Sequence, residues 1–155
     1  HRFHSVVHYV AEQAVQVGLW PNEDRAIIAA QAAPVPFTRY DNGTRTDKPL
    51  FVLPAAEDLP TTYDLYMGGD FGETILDTGR PELPDVLVFG DSFTNALETL
   101  LYASFDEMHA LDLRHYTEKT LKDYITDYQP DIVLCVMNDT FYYTPTGNGD
   151  VWPGP

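Results

Sequence analysis

Between Asp85 and Met137 the chain alternates near-continuous apolar runs with amphipathic ones, and few folds accommodate that order. Asp85–Phe89 (DVLVF) is an apolar run, and Asn95–Tyr102 then has helical spacing with Leu97, Leu100 and Leu101 inward. Glu107–Leu111 reads as a short strand. Thr117–Tyr128 sets Leu121, Tyr124, Ile125 and Tyr128 at i, i+3, i+4 and i+7, and Ile132–Met137 is apolar again. The order is β-α-β-α-β. Continuous apolar strands separated by helices are expected of a parallel sheet covered on both faces.

The residues before Arg80 are less regular. His4–Val17 carries Val6, Val7, Val10, Ala11, Ala14 and Val17 on one helical face, with a stop at Gly18. Asn22 caps a short Ala-rich helix that Pro34 ends. Pro34 to Lys48 reads as a polar hairpin or loop around Asn42-Gly43, and short strands are expected at Leu50–Leu53, Tyr63–Met67 and Thr74–Leu76. From Tyr142 onward, Pro and Gly make a loop. With 155 residues the chain fits a single domain, 1–155, and its opening at His1 reads as a piece of a longer protein.

Charge narrows the partners. There are 24 acidic residues against 9 basic ones, a formal net charge of −15, which argues against nucleic acid and against an anionic membrane surface. No run approaches the ~18 apolar residues of a membrane-spanning helix. Cys135, the only cysteine, lies in an apolar strand and is expected to be a buried, inert thiol. His4 and His8 have i, i+4 spacing but lack the glutamate of a metalloprotease helix, so no metal is expected. Gly68-Gly69-Asp70-Phe71-Gly72 follows no strong strand into a long helix, so no dinucleotide site and no cofactor are expected either.

In open parallel sheets ligands bind at the carboxyl ends of the strands. Three such ends are polar here: Gly90-Asp91-Ser92-Phe93, Asp112-Leu113-Arg114-His115 and Asn138-Asp139. A Gly-Asp-Ser turn into a helix can expose the serine hydroxyl where backbone N–H groups stabilise an oxyanion. Alternatively Gly90 makes the turn, and Asp91 or Ser92 merely caps the helix.

The segment Val88-Phe89-Gly90-Asp91-Ser92-Phe93-Thr94-Asn95-Ala96-Leu97, followed by Asp112-Leu113-Arg114-His115-Tyr116 and by Asp131-Ile132-Val133-Leu134 with Asn138, resembles the SGNH/GDSL hydrolase superfamily. Within it, the resemblance is to the branch of alginate O-acetyltransferases and DHHW proteins. It implies a three-layer α/β/α, flavodoxin-like domain with a parallel central sheet and an irregular N-terminal third. The implied function is serine-dependent O-acetyl transfer, or O-acetyl ester hydrolysis, on a cell-surface or exported polysaccharide. A carbohydrate substrate, an acyl donor and partners in polysaccharide export follow, with an extracellular, cell-surface or periplasmic location. The other reading is a catalytically degenerate carbohydrate-binding or assembly module.

On this resemblance Ser92 is the nucleophile, and its own N–H, Gly69 and Asn138 form the oxyanion site beside Asp91. Arg114 either binds an acyl or sugar oxygen or anchors Asp112. The base falls near the N-terminus, where the branch carries Asp-x-His-Trp: one register makes His1 the base, and the other puts Arg2 in that place. Both put the orienting aspartate before residue 1. His115 is near the serine in the chain order of strand ends, but the family carries an aromatic there. His109 is expected to pack or hydrogen-bond within its strand.

The charge argument predicts negligible association with duplex DNA at physiological salt, checked by a gel-shift assay across a salt series. Tight, salt-sensitive binding would refute it.

Overall fold

The computed structural model describes residues 35–52 and 62–144. The helices expected at His4–Val17 and after Asn22 lie outside the described residues, as do His1, His4 and His8. Among the described residues six strands form one sheet: β1 (Thr38–Asp41), β2 (Thr44–Thr46), β3 (Glu73–Asp77), β4 (Val86–Gly90), β5 (Glu107–Asp112) and β6 (Ile132–Val136), in the spatial order β2-β1-β3-β5-β4-β6. The helices are α1 (Phe93–Leu101), α2 (Leu121–Tyr128) and the single-turn α3 (Asp139–Tyr142).

The sheet is mixed: the expected parallel centre is formed by β5, β4 and β6, and antiparallel strands extend it on the β3 side. β4 pairs in parallel with β5 and with β6, whereas β1 with β2, β1 with β3, and β3 with β5 are antiparallel. The reason is visible in the side chains. β1 and β3 alternate buried and half-buried residues, while all five residues of β4 are buried. Alternating strands suit antiparallel pairing, and continuous apolar ones suit a strand covered on both faces. Asn42 (φ 48°) and Gly43 (φ 73°) make the β1–β2 turn, with the two positive φ values of a type I′ hairpin.

Two apolar clusters cover the sheet. Val86, Val88, Leu76 and Met108 pack with Leu101 and Tyr102 at the end of α1. Leu87, Phe89 and Leu111 pack with Leu121 and Tyr124 of α2. The two sets alternate along β4, so the helices lie on opposite faces and the architecture is three-layered. In the second cluster His109 stacks on Tyr128 at 3.6 Å and lies 2.6 Å through Nδ1 from the Tyr124 hydroxyl. That hydroxyl donates to Glu73, so Nδ1–H is the donor to Tyr124. Glu107 lies 3.2 Å from Nε2 but makes no hydrogen bond with it, and burial lowers the imidazole pKa to about 4.

Three local expectations change. Tyr63–Leu65 is a 3₁₀ turn, and only the Phe51–Tyr66 bridge is strand-like there. Among the described residues β6 is the last strand on its side of the sheet, with Ile132 and Val133 exposed, and its Cys135 is exposed rather than buried. Partial burial still holds that thiol above its ordinary pKa, which keeps it protonated. Finally, α1 turns Thr94, Asn95, Glu98 and Thr99 inward, leaving Leu97 half-buried and Leu100 exposed. Apolar periodicity misleads here because the buried face of α1 meets polar groups.

Glu98 is 3% exposed and accepts a 2.6 Å hydrogen bond from Thr94. Burial pushes its carboxyl up to about 7, against the opposing pull of that bond. A raised carboxyl pKa means that the folded state binds the proton more tightly. Stability is therefore lost as pH rises from the unfolded value, about 4.5, through about 7. Glu98→Gln is expected to flatten the decline in Tm between pH 5 and 8 and to recover roughly 3 kcal/mol at most above pH 7. Thermal unfolding across pH checks this, and an unchanged slope refutes it.

Candidate active site

The site is built at the carboxyl ends of the three parallel strands. Gly90 is aligned with Asp112 of β5 and Val136 of β6, so the residues that follow all three emerge at one edge. Gly90 is required there: a Cβ would sit 1.7 Å from the Val136 carbonyl oxygen. Immediately after it, Asp91 is buried and accepts two backbone hydrogen bonds, from Phe93 N (2.9 Å) and from Asn138 N (2.8 Å). One carboxylate thereby ties the start of α1 to the end of β6.

Ser92 is the N-cap of α1, yet its side chain makes no capping hydrogen bond. Asp91 takes that role. The two alternatives open in the sequence thus separate onto neighbouring residues: the aspartate does the structural work, and the half-buried serine keeps its hydroxyl unengaged among the described residues. Asp91, at 3% exposure, lies beneath the site rather than facing a ligand.

The glycine turn is held against α1 from one side and against β1 from the other. Asn95, in the first turn of α1, donates from Nδ2 to Asp70 Oδ1 at 2.9 Å and lies 3.5 Å from the Gly69 carbonyl. From beneath, Arg39 (1% exposed) donates to the carbonyls of Pro49 and Met67 and pairs with Asp41. Met67, Gly68 and Gly69 run through φ values of 60°, 76° and 121°, conformations that the two glycines adopt without a Cβ penalty.

Donors converge on this edge. Gly69 N–H makes only a long 3.5 Å contact with Tyr66 O, and Ser92 N–H has no acceptor among the described residues. Asn138 caps α3, with Oδ1 accepting from Thr140 N and Oγ1, which leaves its Nδ2 amide as a donor. Ser92, Gly69 and Asn138 are therefore brought to one edge of the sheet.

Arg114 takes the anchoring alternative. Its Nε reaches both Asp112 oxygens at 2.9 and 3.2 Å, and its Nη2 joins Asp112 to Asp70. These bonds, led by the one from Asp112, raise the guanidinium pKa further. Its guanidinium carbon also lies 5.7 Å from the centre of the Phe141 ring. His115 is exposed, with Nε2 4.0 Å from Asp70 Oδ2. Asp70, Asp112 and His115 present ligand atoms within 4.8 Å of one another, but both carboxylates already carry the Arg114 cation.

Sequence reading gave no role to Asp70 or Asn95. The available signal was an acid directly after Gly68-Gly69 together with an amide three residues after Ser92, on the helix face that returns toward that turn.

No protein-family model and no curated protein matches the chain. Solved structures do resemble it. A DHHW family protein from Eubacterium siraeum has a TM-score of 0.54 at 23% identity, over 73% of this chain and 38% of that one. Bacillus cereus PatB1, solved with a sulfonyl adduct, has a TM-score of 0.55 at 34% identity, over 68% of this chain and 36% of that one. A second structure of Bacillus cereus PatB1 gives the same score and identity, over 68% of this chain and 35% of that one. The chain spans little more than a third of the length of each of these proteins. Its fold is an SGNH-like α/β fold.

The division of labour between Asp91 and Ser92 has a measurable consequence. Asp91→Ala orphans two amides and is expected to cost about 2–4 kcal/mol. Ser92→Ala removes no hydrogen bond and should stay within about 0.5 kcal/mol of wild type. Urea unfolding of both variants decides it, and a large loss in Ser92→Ala would make the serine structural.

Proposed function

We propose that this chain performs serine-dependent acyl transfer, moving an acetyl group to or from a hydroxyl of a cell-surface or exported polysaccharide. The observation that carries this reading is the unengaged Ser92 hydroxyl at a helix N-terminus whose capping is already supplied by Asp91. The serine oxygen attacks the ester carbonyl, and its proton passes to a histidine. The developing oxyanion is met by Ser92 N–H, Gly69 N–H and the Asn138 amide. Collapse of the tetrahedral intermediate expels the alcohol, which takes the proton back and leaves an acetyl-serine. Water or a sugar hydroxyl then accepts the acetyl group.

One register of the resemblance makes His1 the base and the other puts Arg2 in that place, and both residues lie outside the described residues. His115 is the described histidine that follows Arg114 at this edge of the sheet, with Nε2 4.0 Å from Asp70 Oδ2. The PatB1 structure with a sulfonyl adduct supports the same class of chemistry, since sulfonyl groups are captured by nucleophilic side chains. The polysaccharide, the acyl donor, export partners and an extracellular, cell-surface or periplasmic setting belong to this proposal.

A second reading, a non-catalytic carbohydrate-binding or assembly module, has one observation in its favour. The 4.0 Å between His115 and Asp70 is beyond hydrogen-bond reach, so no described histidine is oriented as a base by a carboxylate next to the serine.

An aryl sulfonyl fluoride separates the two. We expect a single adduct on the peptide containing Ser92, its rate of formation falling at least ~10³-fold in Ser92→Ala, in line with removal of a catalytic nucleophile. His1→Ala and His115→Ala then identify the base by which one slows labelling. Folded wild-type protein that forms no adduct, or an adduct that persists in Ser92→Ala, overturns the enzymatic reading.

A further inference from the structure

A cavity of about 770 Å³ lies on the face of the sheet that carries α2. It shares Asp70 and His115 with the Ser92 site, and the mechanism uses none of its other walls. We infer that it is a saccharide-binding subsite that admits neutral or amine-bearing sugars and rejects uronic acids. The inference rests on the glycan reading of the proposed function and narrows its substrate.

Three observations carry it. First, Tyr116 is half-buried on the wall and is held edge-on against Tyr124, with ring centres 5.5 Å apart and an interplanar angle of 85°. A ring fixed in this way offers apolar surface to the C–H face of a pyranose at little cost in side-chain entropy. Second, neighbouring polar groups are fixed through one atom and open through the other. Asn42 Oδ1 accepts from Glu73 N, leaving the amide Nδ2 as a donor. Glu73 Oε1 accepts the Tyr124 hydroxyl, and its Oε2 makes no hydrogen bond among the described residues. A sugar hydroxyl donates and accepts at once, and this amide–carboxylate pair matches that demand. Third, the lining includes Glu73 and Glu118 besides Asp70, which is paired with Arg114, and Asp127, which is bonded to Lys119 at 2.6 Å. The wall is therefore acidic, and an acidic wall in a chain of net charge −15 disfavours a polyanionic ligand.

The test is titration calorimetry of the 155-residue chain with three hexasaccharides: a neutral β-glucan, a glucosamine oligomer and an oligogalacturonate. The neutral and amine-bearing oligomers are expected to bind at least about tenfold more tightly than the uronate at low salt. Tyr116→Ala is expected to weaken them at least about tenfold. Tyr116→Leu, which keeps bulk but not the flat ring, should do the same if Tyr116→Ala fails to fold. Glu73→Gln, which retains an acceptor for Tyr124 but removes a charge, should narrow the margin against the uronate. Equal or tighter uronate binding, no glycan binding, or affinity untouched in a folded Tyr116 variant overturns the subsite. Labelling of Ser92 by the sulfonyl fluoride is read in parallel. Labelling without glycan binding removes the subsite and leaves the acyl-transfer reading standing, and binding without labelling does the reverse.

Discussion

Everything at the carboxyl edge of this sheet depends on what the Asp91 carboxylate holds. It accepts from an amide at the start of α1 and from another just past the end of β6, two segments 45 residues apart (93 and 138). Hydrogen bonds to a charged acceptor contribute about 1.5–3 kcal/mol each. Negative charge at a helix N-terminus adds to that. The arrangement needs Gly90, because the backbones of β4 and β6 approach too closely at that point for any side chain. With helix and strand fixed by the aspartate, the adjacent serine is released from capping.

A second carboxylate organises the opposite wall. Asp70 receives Asn95 from the helix that begins beside Ser92 and Arg114 from the loop after β5. It thereby links the glycine turn, the nucleophile's helix and the second strand end through two bonds. Arg114 is consumed by this link and by Asp112, so its charge serves geometry at the site. The same aspartate also forms part of the wall of the aromatic and acidic cavity on the α2 face.

Where packing is apolar and local, the sequence was readable. The runs that became β4, β5 and α2 follow from periodicity, and Asn42-Gly43 follows from turn chemistry. The serine at the end of β4 and the amide at the end of β6 follow from the rule that parallel strands present ligands at their carboxyl ends. Three features could not be read in this way. Pairing direction on the β3 side depends on which neighbour each strand finds, and the alternation in Glu73–Asp77 hints at it only in hindsight. The inward face of α1 is polar because it meets Asp70 and the surroundings of Arg39, partners distant in sequence. Cys135 lies in an apolar strand, but that strand ends at the sheet edge, where its alternate residues meet no second layer among the described residues.

That polar inward face of α1 bears on redesign. Apolar contacts tolerate sliding, because one methyl replaces another at nearly equal energy, whereas hydrogen bonds are directional and fail within a few tenths of an ångström. A helix seated by Asn95, whose amide donates to Asp70 and lies against the Gly69 carbonyl, therefore has one register, while Thr94 and Glu98 bond to each other within the helix. Replacing these residues with leucines would relieve the burial of Glu98, yet it would leave the helix free to choose among several seats. Thermal robustness and placement of the serine oxygen would then become opposing objectives at these three positions.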